Sequence, residues 1–311
     1  MQGLFCGEAK VECYTSLQKA LSGVRIAMAV IPACAHIHLV HALADNIEDS
    51  DILFLIPGRT FGSLEVANIF LGKGQKNLVA ETNTFPFACR RNGKTGVWIS
   101  GEKKKVELGV FPSKETDKAF SILKPILPNI YPVKDVRTTS LNNFGAVIHP
   151  TPLMLNLVLF ESDVYYDFYT QTMTPSEVSI LEKIDAERIS VGQATGANVI
   201  DIRHWLCEAY GLTMNSLRNL FFLNKAYHGI KGPKELSSRC IAEDVPTGLV
   251  PMEELAGVFK LSTPAKSAMI NLCNLLTDED YRTSGRTLKK IGLHGLKLKD
   301  YELFFREGNT G

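Results

Sequence analysis

The sequence predicts an α/β domain followed by a mostly helical one. Three observations carry this expectation. The first third of the chain alternates apolar runs with helical patterns in the order β-α-β-α-β, which implies a parallel sheet covered by helices. Pro128 and Pro132 then mark a boundary. Beyond about residue 136 the pattern turns helical, with a strong helix start at Thr174, Pro175 and Glu177. The expected domains are 1–135 and 136–311.

The elements follow in order. Residues 11–14 read as a possible strand. RIAMAVIP (25–32) is a continuous apolar run that suits a buried parallel strand. Residues 33–47 read as a helix, DILFLIP (51–57) as the next buried strand, Gly58-Arg59-Thr60 as the lead into another helix through Leu71, and NLVAET (77–82) as a third strand. Residues 96–100 and 106–111 read as two further strands joined by Glu102-Lys103-Lys104-Lys105, a charge run expected to be a solvated hairpin tip. Helices are expected over 113–127, 174–189, 199–210, 216–225, 251–259, 264–276 and 286–291. There is no internal repeat and no low-complexity segment.

Bulk composition narrows the function. The 311 residues are 45% apolar and 22% charged, ordinary values for a soluble globular protein. A net charge of +1 gives no general pull toward nucleic acid or anionic membranes. No apolar run is long enough to span a bilayer. MQGLFCGEAKVE lacks the basic-then-apolar order of a signal peptide. The seven cysteines are scattered without a C-x-x-C pair, which fits a reducing compartment. A cytoplasmic location is expected.

Ligands of open parallel sheets sit at the carboxyl ends of the strands. Here those ends are Pro32-Ala33, Pro57-Gly58 and Glu81-Thr82. A dinucleotide fold would begin with a strand and G-x-G-x-x-G, and the chain contains neither that motif nor a P-loop. Gly72-Lys73-Gly74 follows a helix and precedes a strand, the reverse of the required context. Either no dinucleotide binds or the first part of the domain is missing, and the weak opening favours the second. A half-built sheet would expose an edge and an apolar face, so a homo-oligomer or poor solubility is expected.

Two stretches hold candidate chemistry. In TTSLNNFGAVIHPTPLMLN (138–156) an apolar run leads into His149, followed by Pro150 and Pro152. Those prolines place His149 at a kink or helix end, either as a capped core histidine or as a site residue, with Asn142 and Asn143 about two turns earlier. GPKELSSRCIAEDVPTGLVP (232–251) holds Arg239, Glu243 and Asp244 in a loop-like context. It is either a solvated surface or a site in which the arginine grips a carboxylate and an aspartate orients a histidine. His36 lies near the first strand end, where it either touches a ligand or caps a helix. His36, His38 and His41 lack a further ligand with metal spacing, so no metal is expected.

The ordered set PACAH, IPGRTFGSLE, AETNTFPFACR, LNNFGAVIHP, LEKIDAERISV, GPKELSSRCIAEDVPTGLVP and GRTLKKIGL resembles the octopine/nopaline (opine) dehydrogenase family from about residue 10 onward. The resemblance implies a Rossmann-like parallel-sheet domain, here lacking its N-terminal part. It also implies a helical domain similar to the 6-phosphogluconate dehydrogenase C-terminal domain. The implied activity is NAD(P)H-dependent reductive condensation of an amino acid with a 2-keto acid. His149 and Asp244 would be the acid–base pair, and Arg239, Asn142 and Asn143 would serve the substrate. Pro32, Ala33, His36, Pro57, Gly58 and Glu81 would lie near the cofactor, NAD or NADP. Two positions depart from the family: Gly145, where an asparagine is frequent, and Thr247, where an aromatic residue is frequent. The alternatives are a non-catalytic remnant and a related 2-keto or hydroxy acid reductase.

Overall fold

Short apolar runs form the first three strands, β1 (Ile26–Ala29), β2 (Ile52–Leu55) and β3 (Leu78–Thr82). They lie parallel, with Ile26 opposite Ile52 and Ile52 opposite Leu78. Side chains alternate across a strand, so Leu53 and Leu55 enter one core while Ile52 and Phe54 enter another. Both faces of β2 are therefore covered, which explains its uninterrupted apolar sequence. The computed structural model describes residues 6–48, 51–162 and 164–309. Residues 1–5 of the N-terminal stretch read above for a signal peptide lie outside these.

After β3 the chain leaves the sheet as a hairpin, β4 (Phe87–Asn92) and β5 (Gly96–Glu102). It returns as β6 (Val106–Phe111), antiparallel to β3, and adds β7 (Ile130–Pro132) parallel to β6. The five-stranded sheet has the order β1-β2-β3-β6-β7. This corrects the expected pairing of 96–100 with 106–111. β6 is buried along its whole length and fills a place inside the sheet, while β5 is half-exposed and pairs back onto β4. Residues 102–105 are thus a crossing between two sheets and not a hairpin tip.

Two other expectations fail. Residues 11–14 form no strand: Val11 is 74% exposed, and an isolated short segment has no ladder to join. Residues 286–291 form turns, because Arg286 is drawn inward to buried carbonyls and a carboxylate.

The second half is helical as expected. The helix Pro175–Thr195 starts with a complete capping box, Thr174 and Glu177 bonding each other's backbone, and ends at Gly196 with φ +71°. It packs beside the broken helical path Val136–Leu141, Gly145–Ile148 and Pro150–Leu155. The breaks fall at Asn142-Asn143 and at His149, as Pro150 and Pro152 require. Among the described residues no helix is long and apolar enough to cross a membrane.

Candidate active site

His149 sits at the junction of two short helices, with φ −98° and ψ −51°. The break turns its ring off the apolar face toward Asp244. Its Nδ1 lies 2.7 Å from Asp244 Oδ2. An ionised carboxylate only accepts, so Nδ1 carries the hydrogen and Nε2 is left for chemistry.

Asp244 follows the short helix Arg239–Ala242 and opens a π-helical turn, Val245–Leu249, in which Leu249 N–H donates to the Asp244 carbonyl. Single π turns recur at functional sites. Pro246 contributes no N–H, which suits such a wide turn. Glu243 and Asp244, read from sequence in a loop-like context, are in fact buried, at 2% and 0% exposure. Burial works against the Asp244 anion, but the Arg59 guanidinium, His149 and Arg239 outweigh it and hold the carboxyl below its ordinary range.

Arg59 is the residue that sequence reading missed. Its Nε donates to Glu243 Oε1 at 3.0 Å, and its Nη1 lies 3.3 Å from Asp244 Oδ1, an ion pair without hydrogen-bond geometry. It stands in the loop after β2 with φ +61°, and Phe61 there has φ +60°. Such left-handed conformations cost about 1–3 kcal/mol each and persist only where surrounding structure over-determines them. Here it does. Gly58 N–H donates to the Thr82 carbonyl, Thr60 N–H to the Thr247 carbonyl and Phe61 N–H to Ser140 Oγ. Arg286 Nη1 donates to the Gly58 and Thr60 carbonyls while its Nε bonds Glu65. Gly145 explains itself in the same place: a Cβ there would fall 2.2 Å from Arg59 Nη1.

His149, Arg59, Gly145 and Arg239 line one cavity of about 180 Å³, walled by Tyr169, Trp205, Tyr210 and Tyr227 and covered by Phe87 to Arg90 of β4. Arg239 is exposed there, its guanidinium 5.7 Å from the Phe85 ring.

The other predicted site residues are placed differently. Asn142 is fully buried. It donates to Glu107 Oε1 and accepts from Arg188 and the Ile200 N–H. Asn143 is equally buried and joins Thr60 to Arg59. Both asparagines face protein on all sides. Glu81 is also sealed, accepting from Ser63 N–H, Thr139 and Ser140, with Gly58 pressed against its side chain. Its carboxylate fastens these elements together. His36 is 1% exposed, and burial followed by Arg286 and Arg59 lowers its pKa to about 3, so it is a neutral core group. Pro57 and Ala33 are buried at the strand ends, and Pro32 is exposed. Ala33 N–H donates to Glu243 Oε1 at 3.1 Å, so the end of β1 is bonded directly to the element carrying Asp244.

Comparison with known proteins places the chain in a family. Residues 132–277 match the family described as NAD/NADP octopine/nopaline dehydrogenase, alpha-helical domain. An opine dehydrogenase of Arthrobacter sp. (strain 1C) is 35% identical over 292 residues, covering 93% of this chain and 81% of that protein. A solved octopine dehydrogenase with NADH and L-arginine has the same fold, with TM-score 0.73, 19% identity and coverage of 94% of this chain and 80% of its own. A yersinopine dehydrogenase bound to NADP+ gives TM-score 0.67 at 12% identity, covering 91% and 78%. The chain therefore belongs to the opine dehydrogenase family of NAD(P)-dependent oxidoreductases.

Proposed function

We propose that this chain joins the amino group of an amino acid to the keto carbon of a 2-keto acid and reduces the product, with His149 moving the protons. The observation that carries the proposal is the 2.7 Å bond from His149 to Asp244, itself fully buried beside Arg59. Condensation forms a C–N bond and expels the keto oxygen as water. That oxygen needs a proton as it leaves, and the attacking amine must shed one. His149 Nε2 is suited to both transfers, because its other nitrogen is held in one tautomer and the charged imidazolium is stabilised by Asp244. Arg239, exposed at the cavity wall, offers a fork for a substrate carboxylate.

The ends of β1 and β2 carry Pro32, Ala33 and Pro57, and Ala33 is bonded to Glu243 beside Asp244. The nicotinamide half of a bound cofactor would lie at these strand ends, where Pro32 is exposed. When bound, the cofactor supplies the hydride to the imine carbon. All seven cysteines are free thiols, which supports a reducing, cytoplasmic setting.

The test is His149→Ala, assayed by NADH and NADPH oxidation with amino acid and keto acid pairs, alongside fluorescence titration of each cofactor. The expected result is lost turnover with cofactor affinity and thermal stability kept. Turnover near the wild-type rate would remove His149 from the mechanism.

A further inference from the structure

Lys103 belongs to the charge run expected at a solvated tip, yet it is 5% exposed while Lys104 and Lys105 face solvent. The backbone explains the difference. Lys103 N–H donates to the Pro86 carbonyl, and its own carbonyl accepts from Asn129 Nδ2 at 2.7 Å. With both backbone groups pinned, the side chain points inward to the cavity that holds His149. Its Nζ donates to the Phe85 carbonyl at 2.6 Å and lies 5.7 Å from the Tyr210 ring centroid. An ammonium has three donors. No other hydrogen bond and no ion pair engages this one among the described residues.

A buried ammonium without a counter-charge is costly. The cavity supplies none of its own. Its described lining residues include Arg59, Arg90, Lys103, His149 and Arg239, and no aspartate or glutamate. Arg59 is already matched to Glu243 and Asp244, so Lys103, Arg90 and Arg239 are the cations without a carboxylate partner in the wall. The condensed product of the proposed reaction carries two carboxylates, one from each substrate.

We propose that Lys103 is a substrate-docking residue that holds one of these two carboxylates, while Arg239 holds the other. This rests on the opine-forming reading above and assigns the second anchor that the reading lacks. Two fixed carboxylates leave His149 to act on the atoms between them. The charged and titratable groups lining the cavity with Lys103 are Arg59, Cys89, Arg90, His149, Tyr169, Tyr210, Tyr227 and Arg239. Burial above all, with Arg59 adding repulsion, brings its pKa down to about 7. Docking therefore weakens as Lys103 loses its proton.

The experiment uses Lys103→Met and Lys103→Arg in the full chain, measuring kcat and KM for amino acid and keto acid separately from pH ~6 to ~9. The range straddles the lysine's pKa of about 7. Removing one partner of a buried charge pair predicts a KM rise of roughly 30-fold or more for one substrate, with kcat changed far less and cofactor affinity unchanged. Arginine should restore the KM and remove its rise above neutrality, which ties that rise to the charge at position 103. Which KM moves identifies the carboxylate that Lys103 holds. If neither KM moves in a folded Lys103→Met protein, the proposal falls. If that variant does not fold, Lys103→Gln replaces it under the same criterion. If the wild type shows no turnover, the opine-forming reading fails by itself. Binding of pyruvate and of L-alanine, followed by tryptophan fluorescence with Trp205 in the cavity wall, then decides the matter: weaker binding of one of them to Lys103→Met than to the wild type supports carboxylate docking, and equal affinities refute it.

Discussion

Substituting Arg59 by methionine keeps much of the side-chain length and removes the charge. Two buried carboxylates lose their shared cation: Glu243 at 3.0 Å and Asp244 at 3.3 Å, both 2% exposed or less. Breaking a buried pair by deleting one partner costs about 3–5 kcal/mol. At about 2–4 °C per kcal/mol for a chain of this class, the melting temperature at neutral pH should fall by roughly 10 °C. Acidity gives the sharper test. In the wild type Asp244 has a depressed pKa, so its stabilising contribution is present above the ordinary carboxylate range and is lost as pH falls through the folded value. Without Arg59, the main force opposing burial is gone and the Asp244 carboxyl moves up. The folded variant then binds more protons than the unfolded one as pH drops from neutrality, so its stability deficit should shrink between pH ~7 and ~5. Thermal or urea unfolding across that range is the assay. A melting temperature within about 2 °C of wild type, less than the shift for 1 kcal/mol, would refute the assignment of Arg59 as the shared counter-ion. So would a deficit that grows on acidification.

Asp244→Asn should lower kcat by roughly 100-fold with KM little changed, because the 2.7 Å bond loses its charge and with it the hold on the tautomer; steady-state kinetics and a thermal melt read both. Gly145→Ala should cost about 1–3 kcal/mol and at least tenfold in kcat/KM, since a Cβ placed 2.2 Å from Arg59 Nη1 forces the guanidinium to withdraw from Asp244. A well-folded Gly145→Ala protein with unchanged kinetics would show that the guanidinium moves freely. Glu107 is buried, and burial raises its pKa to about 8, so the unfolded state ionises first and folding is penalised above the ordinary carboxylate range. Glu107→Gln should accordingly raise stability near pH 7 by up to about 3 kcal/mol, from 1.36 kcal/mol per pKa unit, and flatten its pH dependence. Urea unfolding at pH ~6 and ~8 measures this, and a destabilised glutamine variant would contradict it.

Much of the scaffold was legible because its causes are local. β2 announced itself as a doubly covered strand through DILFLIP, and Pro150 and Pro152 forced the break that frees His149. The helix at 175 was written in its own capping residues. What stayed hidden depends on partners far along the chain. Arg59 gains its role only when residues 243 and 244 fold beside it, across more than 180 positions. Lys103 sits among like charges, and whether it is in or out is decided by Pro86 and Asn129. Asn142 and Asn143 lie two turns before His149 as read, but the helix break after Leu141 rotates them into the packed interior. His36 is near a strand end as read, but its burial beside Gly62 could not be seen in the sequence, because it depends on how the next helix packs.

The way Glu81 and Arg286 fasten the chain bears on how such enzymes can be recombined. Glu81 at the end of β3 binds hydroxyls of Thr139 and Ser140, and Arg286 near the C-terminus grips carbonyls of residues 58 and 60. A cut near residue 135 looks like a natural seam, yet both clasps cross it. A chimaera that grafts the helical part of a relative onto this sheet will inherit a sealed carboxylate and a strained loop unless the donor brings matching hydroxyls and a matching arginine. In this molecule the exchangeable unit is the pair of clasps together with what they hold, rather than either half of the chain.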